Sequence, residues 1–211
     1  MESTFRELAP KDLKVIETFG FKPDDGFIRL DRHLKRFSAT CAELEISCDL
    51  DICRQKLAAL PVTDPLRVRL RISADGEVEV TSAVTAPTPE FWRIGVYSHR
   101  VISTDPWLQI KTTNRELYDQ ARSGLPNGID EYIFLNENDE VCEGTITNIF
   151  ADFGEGLVTP PTSCGLLPGI LREELLEADV LTEIIPVSRL KTAKRIMVGN
   201  SLRGLIPARL V

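Results

Sequence analysis

The run Leu66 to Ile72, LRVRLRI, sets Val68, Leu70 and Ile72 in strict alternation with Arg67, Arg69 and Arg71. Side chains of an extended strand point alternately to its two faces, so this run is a strand with one apolar face and one basic face. It passes through the turn-forming set Ala74-Asp75-Gly76-Glu77 into Val78 and Val80, with further alternation to Val84. The two halves therefore form a hairpin.

Around this hairpin the chain is patterned for both helices and strands. Between Asp31 and Ile46 the apolar residues Leu34, Phe37, Cys41 and Leu44 recur at helical spacing, and Ile52, Cys53, Leu57 and Leu60 do so in a second stretch that ends at Pro61. Two amphipathic helices are expected. The proline-bearing string TAPTPEF, residues 85–91, then separates the hairpin from WRIGVYSHRV, which reads as a strand. A boundary near Pro87 divides the chain into a small α+β domain, residues 1–90, and a second domain, residues 91–211. In the second domain, strands are expected near 131–136, 140–150, 157–159, 182–186 and 195–199, with helices near 114–122 and 169–178. That mixture indicates an α/β or α+β fold.

Composition narrows the partners. With 211 residues, 43% of them hydrophobic, the chain can bury a substantial core. A net charge of −7 repels phosphate backbones and anionic lipid, so nucleic acid and membrane surfaces are not expected partners, and an anionic ligand must be captured locally. No apolar run approaches the roughly 20 residues of a membrane-spanning helix. The start MESTFRELAPKDLK lacks the basic-then-apolar order of a secretory signal, so a cytoplasmic location is expected. Cys41, Cys48, Cys53, Cys142 and Cys164 are odd in number and hold no CxxC, which argues for reduced thiols rather than disulfides or zinc. His33 and His99, the two histidines, are too few for a metal cluster.

Four strings could carry chemistry. Lys111 lies in QIKTTNRELYDQ, where a strand ending at Ile110 and a helix opening near Thr113 and Asn114 would fix it at a junction. A lysine held in place and made less basic by burial or by neighbouring positive charge can bond an aldehyde. Glu143 lies in CEGTITNIF between an alternating strand and another starting at Thr145. TPPTSCGLLPGILREELLEA, residues 159–178, is a polar loop that runs into an amphipathic helix with Gly169 at its start. Amide groups at such a helix start can bind phosphate without net positive charge. GNSLRGL, residues 199–205, adds a polar turn with the hydroxyl of Ser201.

Together with IET at 16–18, LDRHLKRF at 30–37, EGTITNIF at 143–150 and GNSLRGLIPA at 199–208, these strings resemble the class IV enzymes dependent on pyridoxal 5′-phosphate (PLP). That group holds branched-chain aminotransferases, D-amino acid aminotransferases and aminodeoxychorismate lyases, and the resemblance covers nearly the whole chain. It implies the D-amino acid aminotransferase-like fold, a small N-terminal domain followed by a larger C-terminal one. It also implies PLP as cofactor, a small-molecule amine as substrate and a homodimer. By position, Lys111 matches the Schiff-base lysine, Glu143 the carboxylate that keeps the pyridine nitrogen protonated, and Arg36 an arginine on the cofactor phosphate. Leu167 matches the residue that packs against the ring, Gly169, Ile170 and Leu171 the helix start at the phosphate, and Ser201 its hydroxyl partner. Thr147 and Asn148 fall in the cofactor-side strand.

The chain departs from that pattern twice. Only fifteen residues precede Ile16, fewer than the family usually places before its ET motif, and Glu116 stands where aminotransferase members tend to carry a tyrosine, with Tyr118 nearby. The GNSLRGLIPA string and the KTTNR form of the lysine motif look more like the lyase branch. The implied reaction is cleavage of 4-amino-4-deoxychorismate to 4-aminobenzoate and pyruvate, with amino acid transamination, or PLP binding without turnover, as alternatives. Its two carboxylates would need arginines, for which Arg67, Arg69, Arg71 and Arg203 are the candidates.

Overall fold

The computed structural model describes residues 9–61 and 63–211; most of the leader considered above, MESTFREL, lies outside them. The chain divides into two compact units. The first runs to Ala86 and takes back Ile110–Arg115, and the second comprises Pro87–Gln109 and Glu116–Val211. The short segment carrying Lys111 thus belongs to the first unit although it follows the chain's passage into the second.

In the first unit, strand β1 (Lys14–Lys22) is flanked by β2 (Gly26–Phe27) and β3 (Leu66–Ser73), and β4 (Val78–Val84) completes an antiparallel sheet of order β2-β1-β3-β4. The alternation in LRVRLRI resolves as expected, with Leu66, Val68, Leu70 and Ile72 buried. The β3–β4 turn is built from the residues that suit it: Gly76 adopts φ 86° and Ser73 Oγ donates to Asp75. Helix α1 (Leu30–Glu43) buries His33, Leu34, Phe37, Thr40 and Cys41 and packs on β1. Helix α2 (Leu50–Ala58) starts at Asp49, whose carboxylate accepts from the amides of Asp51 and Ile52. Its buried residues are Cys53 and Leu57, whereas Ile52, expected on the apolar face, is 43% exposed. Cys53 and Leu57, four apart, share one face, and Ile52, one residue before Cys53, falls beside it.

The second unit holds a mixed sheet. Its strands are β5 (Trp92–Val101), β6 (Glu131–Asn136), β7 (Val141–Gly144), β8 (Asn148–Asp152), β9 (Leu157–Thr159), β10 (Leu181–Thr182), β11 (Arg195–Asn200) and β12 (Gly204–Leu210). The order β10-β9-β8-β11-β12-β5-β6-β7 carries an additional β7–β8 pairing, so the six strands from β8 to β7 close into a ring from which β9 and β10 extend. β5 runs parallel to both β6 and β12, while β11 is antiparallel to its neighbours. Ile94, Ile133, Leu135, Val141, Ile149, Ala151, Val198 and Ile206 fill the core with Ile185 and Leu190. The helices are α3 (Glu116–Ser123), α4 (Ile170–Glu177) and the short α5 (Val187–Leu190). The 140–150 stretch is two strands joined by a turn at 145–147 rather than one. The strand expected at 182–186 shrinks to β10, because the chain turns at Pro186 into α5. Past the expected polar turn the chain adds a strand the sequence reading did not include, β12, which pairs with β11 from Gly204 to Ala208 and with β5 from Ala208 to Leu210.

Candidate active site

In the first unit, the segment after Ile110 lies alongside β1. Thr112 faces Val15 in an antiparallel bridge, the Ile16 amide donates to the Lys111 carbonyl at 3.0 Å, and the Thr113 amide donates to the Lys14 carbonyl at 2.9 Å. Thr113 Oγ1 accepts from the Lys14 amide in return, and Thr112 Oγ1 from the Asn114 amide. Lys111 is therefore fixed by backbone bonds on both sides. Cross-strand neighbours share a face, so Thr112 and Val15, both buried, point to the side covered by α1, and Lys111 lies beside Ile16 on the other side. In the β1–β3 register Ile16 faces Arg71 and Thr18 faces Arg69. The basic face foreseen from LRVRLRI is thus the face that carries Lys111. Arg71 is half-buried, its Nη1 lies 3.7 Å from Glu79, and its buried Nε makes no hydrogen bond.

The opposite face of β1 carries a charged cluster of a kind sequence spacing did not suggest. Glu17 is 1% exposed and accepts from Arg36 Nε at 2.7 Å, Arg36 Nη2 at 2.8 Å and His33 Nδ1 at 2.6 Å. Burial pushes the Glu17 carboxyl up, but the Arg36 charge and the hydrogen bonds from His33 and Arg36 outweigh it and hold the group at about 2. Burial lowers His33 against the pull of Glu17, and the charges of Arg36 and Lys111 push it the same way. An ionised Glu17 only accepts, so the neutral His33 ring carries its proton on Nδ1. Arg36 thereby has two of its nitrogens committed to Glu17, and the ionic fork sets its orientation.

In the second unit, Glu143 ends the tight β7–β8 hairpin opposite Asn148, and the Gly144 amide donates to the Thr147 carbonyl at 2.7 Å. Glu143 is 7% exposed, and Oε1 accepts from Tyr118 Oη on α3 at 2.9 Å. Tyr118 is itself placed by its ring contact with Phe134, centroids 4.6 Å apart. Asn148 Nδ2 donates to the Leu167 carbonyl at 3.0 Å, which ties β8 to the loop before α4. That helix starts at Gly169 without a side-chain cap, and Ile170 and Leu171 at its first turn are buried. Gly199 on β11 leaves room for Leu171: a Cβ there would stand 2.9 Å from Leu171 Cδ2. The α4 start is thereby seated against the end of β11, from which the turn bearing the buried Ser201 departs.

This unit therefore gathers Glu143, Asn148, Leu167, Gly169, Ile170 and Leu171, with Ser201 on the adjoining turn, while Lys111 and Arg36 stand with β1 in the first unit. Thr147 Oγ1 is engaged internally, donating to Glu131 at 3.2 Å. Arg203 Nη1 donates to Thr88 Oγ1 at 3.2 Å, and its guanidinium lies 6.0 Å from the Trp92 ring centroid. Glu17, His33 and Glu131 were not read as site residues from the sequence. Glu17 stood in view within the IET string, but nothing in the spacing announced its partners on α1. Among the described residues no group of three or more His, Cys, Asp or Glu side chains is arranged to hold a metal, and no helix is long and apolar enough to cross a membrane.

Comparison with known proteins decides the family: the defining pattern of the amino-transferase class IV proteins matches residues 14–211. The chain belongs to that family. A solved structure named a putative amino-acid aminotransferase from Mesorhizobium loti is 41% identical, covers 95% of this chain and 100% of its own, and superposes with a TM-score of 0.87. A relative from Thermotoga maritima named a probable branched-chain-amino-acid aminotransferase is 32% identical over 114 residues, 51% of this chain but 41% of that protein. The aminodeoxychorismate lyase of Bacillus subtilis is 26% identical across 98% of this chain and 82% of its own length. Class IV members are PLP-dependent enzymes, and lyases and aminotransferases alike stand among these relatives.

Proposed function

We propose that this class IV chain binds PLP and uses it to cleave 4-amino-4-deoxychorismate to 4-aminobenzoate and pyruvate. The donor set suits the cofactor. The uncapped start of α4, seated against β11, offers amides to a phosphate, the Ser201 hydroxyl lies on the adjoining turn, and Glu143 is a buried acceptor for a protonated ring nitrogen. Arg36, oriented by Glu17, is assigned to the phosphate, and Lys111 Nζ to the cofactor aldehyde. When bound, the cofactor takes up the electrons left behind as a proton departs from the amine-bearing carbon.

The remaining work falls to the chain. Lys111 Nζ would hold the cofactor aldehyde and, when free, would be the base that accepts that proton; the backbone bonds of its segment to β1 fix where it stands on that strand. The enolpyruvyl group would leave from the adjacent carbon with the electrons of its C–O bond and take up a proton to become pyruvate, and the ring would become aromatic. The observation that carries the choice of substrate is the row Lys111–Ile16–Arg71, with Arg69 in the next row. It puts two arginines on the lysine's face in a protein of net charge −7, which suits a dicarboxylate.

Amino acid transamination is the second reading, favoured by the 41% identity to the Mesorhizobium protein. The position of Tyr118 weighs against it: the hydroxyl nearest the usual aminotransferase tyrosine position donates to Glu143. Incubating the holoenzyme with aminodeoxychorismate, and separately with amino acids plus 2-oxoglutarate, decides between them. The lyase reading expects 4-aminobenzoate from the first, and glutamate formed only in the second refutes it. Independently, borohydride treatment followed by peptide mass spectrometry is expected to find the cofactor on the Lys111 peptide and to find none in Lys111→Ala. A wild-type level of adduct in that variant overturns the assignment of Lys111.

A further inference from the structure

Glu131 is the first residue of β6 and is completely buried, yet the proposed chemistry gives it no part. Its Oε1 accepts from the Thr145 amide at 3.0 Å, from Thr145 Oγ1, from the Tyr132 amide at 3.1 Å and from Arg122 Nη1 at 3.4 Å. Its Oε2 accepts from the Ile146 amide at 3.2 Å and from Thr147 Oγ1 at 3.2 Å. Every residue of the 145–147 turn thus donates to one carboxylate. Gly144 admits the arrangement: a Cβ there would meet Thr147 Oγ1 at 2.5 Å and Glu131 Cδ and Oε2 at 3.0 Å. The carboxylate occupies space that only a glycine leaves, which gives the Glu-Gly pair at 143 and 144 its structural reason.

The clamp reaches further than the turn. The Ile146 carbonyl accepts from Asn200 Nδ2 at 3.1 Å, and Asn200 Oδ1 accepts from the amides of Leu202 and Arg203. A continuous set of hydrogen bonds therefore runs from the Glu131 carboxylate through the 145–147 turn to the turn that bears Ser201. At one end of this set lies Glu143, directly before Gly144, and at the other the hydroxyl assigned to the phosphate.

We propose that Glu131 is a positioning residue: its carboxylate clamps the 145–147 turn, and the clamp fixes Glu143 and the Ser201 turn in the places that the cofactor requires. The consequence for the cofactor rests on the functional reading above, whereas the clamp itself does not. Removing the acceptor of a buried hydrogen-bonded amide opens that amide by about tenfold to a hundredfold. Hydrogen exchange on the cofactor-free protein is therefore expected to show the Ile146 amide exchanging that much faster in Glu131→Gln than in wild type, with Glu131→Asp between the two. Thr145→Val, which removes one hydroxyl donor and keeps the side-chain shape, provides the same reading should the Glu131 variants fail to fold.

In the holoenzyme, the pH at which the bound cofactor's visible band changes is expected to move in Glu131→Gln in the direction that Glu143→Gln moves it. KM for cofactor in reconstitution should rise as well. Unchanged exchange at Ile146 overturns the clamp. Faster exchange with an unmoved spectral transition overturns the positioning role and leaves Glu131 a structural residue only. If Glu143→Gln itself leaves the transition where it was, the cofactor assignment of Glu143 fails, and the clamp then stands or falls on the Ile146 exchange alone.

Discussion

Replacing Glu17 with glutamine tests the most heavily charged contact in the first unit. The wild-type carboxylate is 1% exposed and takes three short hydrogen bonds, two from Arg36 and one from His33. Its pKa is held at about 2 against an ordinary 4.5, which corresponds to about 3 kcal/mol of folding stability at neutral pH. The sign follows from the depression. The stabilisation is complete above pH 4.5 and is lost as pH falls from there towards 2, because only the unfolded chain binds a proton in that window. Glutamine keeps the shape but not the charge, and leaves the 15%-exposed Arg36 side chain without its counter-ion, a loss of about 3 to 5 kcal/mol at pH 7. Urea unfolding midpoints collected from pH 7 to pH 2.5 should show a large gap between wild type and Glu17→Gln at neutral pH that narrows through the acid range. Asp75 and Glu137, held down by hydrogen bonds from Ser73 and Ser103, titrate alike in both proteins and cancel in the difference. A gap that stays constant with pH would refute the reasoning, since it would mean that the carboxylate gains nothing from its ionised state.

Two further substitutions probe the two units separately. In Gly169→Ala the new methyl group would collide with Asn148 Oδ1, so Asn148 must give up its bond to the Leu167 carbonyl; the melting temperature should fall in line with a loss of about 1 to 3 kcal/mol, and an unchanged melt would show that the loop adapts. Arg71→Ala should raise KM for the dicarboxylate about tenfold while leaving the cofactor spectrum intact, and an unaltered KM in steady-state assays would move substrate recognition away from this face.

Much of the scaffold was legible because its signals are local. Alternation in LRVRLRI fixed which side of β3 is buried, and the Ser73–Glu77 residues specified their own turn. The polar loop running into an apolar stripe placed the start of α4 at Gly169. The misreadings were local as well. Ile52 was grouped with Cys53 and Leu57, but it sits one residue from the first and five from the second, off the face they share, and is exposed. β12 has no such local signal: GLIPARL shows no strict alternation, and the strand exists through its partners β11 and β5. The 145–147 turn was hidden inside EVCEGTITNIF, residues 140–150, which reads equally well as one strand.

What the sequence by itself carried is most of the elements, the resemblance to the family and the residues proposed to carry chemistry, because periodicity, turn composition and ordered motifs are properties of neighbours along the chain. Only the tertiary structure decided which of those residues meet. Glu17 finds His33 and Arg36 sixteen and nineteen positions away, Lys111 comes back to β1 across almost one hundred residues to share a face with Arg71, and Glu131 reaches forward to hold the turn that follows Glu143. The physical reason is that a buried charge is tolerated only where several donors converge on it. Convergence depends on strand register and helix placement, which no window of sequence records.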